Sequence, residues 1–180
     1  MFHAQPSPRW RLFAISAAMI AALLATVTVW GATRAADPTA TPASAATAGC
    51  AQASTTKGDP AGTPAAGANC VDVGLFDIYY GANLITIPSN TDVKFVLDNK
   101  GAATHTFVIT DHNNKDVKNL NINVSVDPGK SGDVTINAPA GTYYYWCDIP
   151  GHEQAGMWGI LKVEDNGKIS AQSVDDPKKA

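Results

Sequence analysis

Along residues 70–165, apolar and polar positions alternate in short runs, and turn-forming residues separate the runs at regular intervals. Runs with alternation or β-branched enrichment cover residues 71–80, 84–88, 93–97, 105–110, 120–126, 134–136, 143–147 and 158–163. Between them lie Asp98-Asn-Lys-Gly101, Asp127-Pro-Gly129 and Pro139-Ala-Gly141, residue types that favour tight turns. This pattern predicts an all-β fold, an eight-stranded Greek-key β-sandwich. A period of two puts His105, Phe107 and Ile109 on one side of their strand, and Tyr143, Tyr145 and Cys147 on one side of theirs. No helical period competes within this stretch, although residues 111–119 have room for a turn.

The chain before it has a different texture. Residues 12–30 are nearly all apolar, follow Arg9 and Arg11, and are followed by Arg34 and small residues. That is the pattern of an export signal or of a membrane anchor. Its nineteen residues approach the ~20 that span a bilayer. Its alanine content and the Thr33-Arg-Ala35 segment fit a cleaved leader equally well. Either outcome places the remainder outside the cytoplasm. Residues 35–69 are Ala, Thr, Pro, Gly and Ser with almost no large apolar side chain, so burial does not offset the entropy of ordering them. A free chain of that length reaches ~30 Å on average, as a tether or as a plain spacer. The expected division is therefore 1–34 signal or anchor, 35–69 flexible linker, 70–165 folded domain and 166–180 polar tail, with residues 167–174 able to form one more strand.

Of the three cysteines, Cys50 and Cys70 bracket part of the linker. In an exported chain such a pair is most simply a disulfide. Closing that loop would restrict the unfolded chain by about 3 kcal/mol on the chain-entropy model. A lipidated Cys50 after Thr47-Ala-Gly is the competing reading, and the apolar run ends twenty residues too early for it.

Charge and motifs exclude several functions. Residues 70–165 carry six Lys and no Arg against twelve Asp plus Glu, an acidic balance without a basic patch for nucleic acid. There is no Gly-rich phosphate loop. Asn123-Val-Ser125 matches a glycosylation acceptor, a pattern common by chance.

The chemistry gathers near the C-terminal end of the domain, in Tyr143-Tyr-Tyr-Trp-Cys147-Asp-Ile-Pro-Gly-His152-Glu-Gln-Ala-Gly-Met157. An aromatic strand ends in a thiol, Pro150 and Gly151 turn the chain back, and Gly156 permits a second turn before the next strand. Cys147, His152 and Met157 thus come from one tight loop, and His105 heads a separate strand. Taken singly, each has a plainer reading: a small buried hydrophobe, a satisfied edge histidine, core filler. Together, one thiolate, two imidazoles and one thioether form the donor set of a mononuclear His2Cys copper centre with a weak axial Met. Two of the four histidines lie elsewhere, His3 in the leader and His112 in a polar turn. A second copper centre therefore lacks ligands, and no catalytic constellation is left: the chain is expected not to be an enzyme.

Cys147-Asp-Ile-Pro-Gly-His152 and the Cys-x4-His-x4-Met spacing resemble the ligand loop of the cupredoxins, the small blue-copper proteins. The first half is similar to the azurin form, the His-to-Met spacing to that of plastocyanin, and the combination to the auracyanins. The resemblance covers about residues 71–164 and implies one type-1 copper ion, cycling between Cu+ and Cu2+, on His105, Cys147, His152 and Met157. It further implies that the Thr106 and Ile149 N–H groups bond the Cys147 sulfur. Thr106 stands where azurin and plastocyanin usually have Asn, which leaves open the side-chain bond that ties the two ligand loops there. Asp148 follows the cysteine where a hydroxyl residue is common, and either lowers the potential or faces water. Ile149, Pro150, Gly156 and Trp158 are expected to form an apolar docking patch near His152.

The function expected is the shuttling of single electrons between extracytoplasmic redox partners, such as a cytochrome, a membrane oxidoreductase or a reaction centre, by a monomer with a possible membrane tether. Copper delivery or storage on the same fold is the alternative. A sandwich serving adhesion or assembly is a third reading.

Overall fold

A computed structural model describes residues 49–53, 59–115 and 120–180. The apolar run at 12–30, the linker up to residue 48 and part of the 111–119 turn lie outside the described residues. Among the described residues, no helix is long and apolar enough to cross a membrane.

Among the described residues, eleven strands and one helical turn follow in order: β1 (Ala51–Gln52), β2 (Cys70–Phe76), β3 (Tyr79–Tyr80), β4 (Leu84–Pro88), β5 (Val93–Asn99), β6 (His105–Ile109), β7 (Ile122–Val126), β8 (Ser131–Ile136), β9 (Gly141–Trp146), α1 (His152–Ala155), β10 (Trp158–Glu164) and β11 (Ser170–Gln172). One sheet runs β1-β2-β5-β8, with β3 folded back on β2, and the other runs β11-β4-β10-β9-β6-β7. The pairs β1/β2, β2/β5 and β4/β10 are parallel, and the remaining pairs are antiparallel. The described residues are all-β apart from α1, as the alternation predicts, and every expected strand has its counterpart.

The additions have physical reasons. The expected strand at 71–80 breaks at Asp77 and Ile78, where a turn lets Tyr79 and Tyr80 pair back onto Phe76 and Leu75. Asp is depleted in strands and favours turns. At the C-terminal side, Ser170–Gln172 pairs with β4 and buries Ile169 and Ala171.

The linker expectation needs the larger correction, since part of it is built into the sandwich edge. Cys50 is bonded to Cys70. Ala51 and Gln52 run beside Val71 and Asp72, and Gly62 exchanges two backbone hydrogen bonds with Ala171. A composition poor in large apolar residues predicts freedom only where nothing else fixes the chain; here a covalent bond and backbone pairing do so. With the disulfide formed, lipidation of Cys50 is excluded.

Between the sheets, Val71, Val73 and Leu75 of β2 and Phe95 and Leu97 of β5 meet Ile85, Ile87, Phe107, Ile109, Tyr145 and Leu161, all inaccessible to solvent. The aromatic rings interlock: Tyr145 lies 4.9 Å from Phe107 and 5.2 Å from Tyr80, centroid to centroid. Both buried phenols have acceptors, Tyr80 donating to the Thr106 carbonyl at 2.6 Å and Tyr145 to the Ala82 carbonyl at 2.5 Å. Burial pushes both phenols far above the usual tyrosine range. They therefore stay protonated and keep donating.

The alternate residues of β9 are not solvated. Tyr144 and Trp146 form a second cluster with Val108 and Ile160 on the outer face, with Leu84 and Trp158 packed against it. That is why residues 143–146 are aromatic without a break: both faces of this strand are covered.

Two expectations follow. A methyl group on Gly159 would sit 2.3 Å from the Tyr145 ring and 2.7 Å from the Asn83 carbonyl. Gly159→Ala is therefore expected to lower unfolding free energy by about 1–3 kcal/mol, read from denaturant midpoints. Replacing Cys50 and Cys70 together by Ala should cost about 3 kcal/mol in the same assay.

Candidate metal centre

Four segments close one end of the inner core. His105 opens β6, Cys147 follows the last residue of β9, His152 begins α1, and Met157 precedes β10. The loop between Cys147 and Met157 is held by its own backbone. Cys147 N–H donates to the Met157 carbonyl at 3.0 Å, Met157 N–H to the His152 carbonyl at 2.9 Å, and His152 N–H to the Ile149 carbonyl at 3.0 Å. Gly151 and Gly156 bound α1 with φ of 88° and 115°. These are left-handed values that a side chain disfavours, so the two glycines singled out as turn residues permit this compact path.

The result is a cluster in which one donor atom each from His105, Cys147 and His152 lies within 4.8 Å of the others. Cys147 Sγ is 3.5 Å from His152 Nδ1. Cys147 and His105 are fully buried, and His152 is half-buried. Met157 is fully buried in the same core cluster as Cys147. The structure thus brings together the three nitrogen and sulfur residues that the spacing singles out, and hydrogen-bonds the Met157 backbone to two of them. His112 lies apart, its Nε2 2.9 Å from the Glu153 Oε1 acceptor and its ring resting against Trp146.

The test of fit to a metal is His105. Both of its ring nitrogens are buried and have no hydrogen-bond partner. A buried polar group left so costs about 1–3 kcal/mol. Burial, and then the neighbouring His152, lower its basicity below the usual imidazole value, against the pull of Asp77. A neutral imidazole facing a buried thiol and a second imidazole is a metal-ready arrangement. Asp77 Oδ1 lies 3.6 Å from His105 Nε2, which leaves Nδ1 as the nitrogen available to a metal.

Around the sulfur, Thr106 carries two roles. Its N–H lies 3.5 Å from Cys147 Sγ, as expected. No corresponding bond from the Ile149 N–H is found among the described residues, and that expectation is not met. The Thr106 hydroxyl donates to Asp148 Oδ1 at 2.7 Å and accepts from the Asp148 N–H at 2.9 Å. It also lies 3.5 Å from Sγ, but its single proton goes to the nearer carboxylate. The side-chain tie between the two ligand loops, left open by the absence of Asn, is therefore made by Thr106 with Asp148. Asp148 is exposed at its edge, yet held by this pair.

Trp158 does not face His152 as part of a free patch. It stacks on Tyr144 at 5.5 Å, and Lys178 Nζ stands 4.7 Å from its ring centroid. The exposed large hydrophobic residues among those described are Ile78 and Tyr79. The sequence reading missed Asp77, Asp148's bond and the Tyr144–Glu153 contact at 2.9 Å. The strand break at Asp77 was the one local signal that could have drawn attention to the first.

Comparison with known proteins identifies the family of the chain. The family model described as a cupredoxin-like domain matches residues 20–157. The copper-resistant cuproprotein CopI of Pseudomonas aeruginosa is 28% identical over 159 residues, covering 63% of this chain and 88% of that protein. Rusticyanin of Acidithiobacillus ferrooxidans is 36% identical over 91 residues, covering 42% of this chain and 46% of its own length. Auracyanin-B of Chloroflexus aurantiacus is 54% identical over 39 residues, covering 21% and 17%. The chain therefore spans less than half of these last two relatives. Among solved structures, the reduced auracyanin of Roseiflexus castenholzii matches with a TM-score of 0.46 at 22% identity, over 54% of this chain and 99% of that one. The cofactor that goes with this family and with the clustered thiol and imidazoles is a single type-1 copper ion. With its family match ending on Met157 and its cysteine and two histidines gathered at one end of a β-sandwich, the chain belongs to the cupredoxin-like family.

Proposed function

We propose that this chain carries single electrons between redox partners outside the cytoplasm, using one copper ion held by His105, Cys147, His152 and Met157. The observation that supports it most is the buried His105 imidazole, with no hydrogen bond to either ring nitrogen, gathered with Cys147 and His152 within 4.8 Å. Copper held there supplies a one-electron couple between Cu+ and Cu2+.

The chain's own residues do the rest. The inner core excludes water from Cys147 and His105, so little solvent has to reorient when the charge changes. Thr106 N–H approaches the sulfur and spreads its charge. The Thr106–Asp148 pair fixes the upstream histidine strand against the cysteine loop. His152, half-buried beside exposed Pro150 and Gly151, is the ligand through which an electron enters or leaves. The contact with a partner is made there, over a small apolar area of the kind that suits brief encounters. The acidic surface steers a basic partner such as a cytochrome. In this reading residues 1–34 export or anchor the chain, the linker after them runs into a domain whose edges take in Cys50–Gln52 and Ser170–Gln172, and the protein is a monomer without catalytic activity.

Copper handling without electron transfer, as delivery or storage, is the second reading, and the likeness to a copper-resistant cuproprotein over 88% of its length favours it. The two differ in outcome: a carrier exchanges electrons rapidly between its own oxidised and reduced forms, whereas a delivery protein surrenders Cu+ readily to a chelator.

Cupric loading of the purified chain is expected to give an intense blue or green absorption and a type-1 EPR signal at one copper per chain, both abolished by Cys147→Ser. A colourless protein with stoichiometric cupric ion would end the reading. Thr106→Val, close in shape, removes an acceptor from the Asp148 N–H. It should lower the stability of the metal-free chain by about 1–3 kcal/mol in urea denaturation.

A further inference from the structure

His105 is anchored from a direction that no family spacing announces. Its Nε2 faces Asp77, whose Oδ1 lies 3.6 Å away on the turn between β2 and β3. That is ion-pair reach, slightly longer than a formed hydrogen bond. The side chain of Asp77 is 62% exposed, whereas that of His105 is inaccessible to solvent. The same oxygen accepts the Ala102 N–H at 2.6 Å, which aims the carboxylate at the imidazole.

A second, independent observation concerns Gly101. A methyl group there would stand 2.5 Å from Asp77 Oδ1 and 2.7 Å from His105 Nε2. Such a wedge would have to push the two groups apart. Glycine at position 101 is thus what permits the carboxylate and the imidazole to meet.

We infer that Asp77 is a positioning residue for His105: its carboxylate, aimed by the Ala102 N–H and admitted by the bare backbone of Gly101, faces Nε2 as an acceptor, holds the ring in the Nε2–H tautomer and leaves Nδ1 to the metal. Carboxylates in this relation to a ligating histidine fix its tautomer and raise its donor strength. A stronger donor favours Cu2+ over Cu+, so Asp77 holds the reduction potential down. This rests on the copper reading proposed above.

The test uses the full chain and three variants. Asp77→Asn keeps an acceptor for Ala102 while removing the charge, Asp77→Ala removes both, and Gly101→Ala keeps the carboxylate but displaces it. In the metal-free wild type, long-range 15N spectra should show His105 as the Nε2–H tautomer, and that preference should weaken in all three variants. After loading, Asp77→Asn should bind Cu2+ about tenfold more weakly, at the low end of such effects because the carboxylate is exposed, with a smaller loss for Cu+. The reduction potential then rises. Gly101→Ala should move it the same way. A residue that merely braced the turn would leave tautomer and potential unchanged in Asp77→Asn, and that result overturns the proposal while the wild type stays blue. A wild type that takes up no copper overturns the underlying reading instead, and is seen before any variant is compared.

Discussion

The antiparallel contact of β6 and β9 is the constraint on which the site depends. Val108 stands opposite Trp146, and the strands meet so that His105 and Cys147 fall at the same end of the core. Few hydrogen bonds hold this pair in register, and side chains complete the join. The Thr106 hydroxyl and Asp148 exchange two hydrogen bonds just beyond the last paired residues. Tyr80, from a different hairpin, caps the Thr106 carbonyl from inside the core. Shifting β6 by one residue would turn His105 to the outer face of the sheet, away from Cys147, and bring Thr106 inward. The packing of Phe107 between Phe95 and Tyr145 opposes that slip.

The fold and most of the site were legible in the sequence because both are written in local patterns. Alternation located His105–Ile109 and Leu84–Pro88 to within a residue. Turn residues around Cys147 announced the loop, since Gly151 and Gly156 are needed wherever the chain adopts left-handed backbone. What escaped was non-local. Asp77 and His105 are far apart in sequence and joined by no spacing rule, so only the hairpin at the end of β2 brings them together. The bond from Thr106 to Asp148 crosses two strands, and a pattern based on one expected residue type overlooked a hydroxyl reaching the same partner. Trp158 was assigned to a docking patch because its neighbours in sequence are ligands. A strand residue after an inward Met157 points the other way, and Trp158 joined the outer cluster.

That outer cluster gives the ligand loop a second support. Glu153, next to His152, accepts from the Tyr144 hydroxyl and meets His112, so α1 is tied to the outer face of the sheet as well as to the core. Burial, with Glu153 adding to the effect, pushes the Tyr144 phenol well above the usual tyrosine range, so it remains a donor. Lys178 closes over Tyr144 and Trp158. The residues after β10 are therefore part of what braces the loop, although their composition is that of a polar tail.

The bond between Cys50 and Cys70 has a mechanical consequence. Cys70 is the first residue of β2, and β2 lies between β1 and β5 in its sheet. Tension arriving along the backbone from residue 49 enters the sandwich through sulfur at that point, and the residues between the two cysteines are bypassed. Traction from the N-terminal side would therefore stretch a covalent link instead of unzipping β1, and the far end of the sandwich that houses His105 would feel none of it until β2 itself sheared.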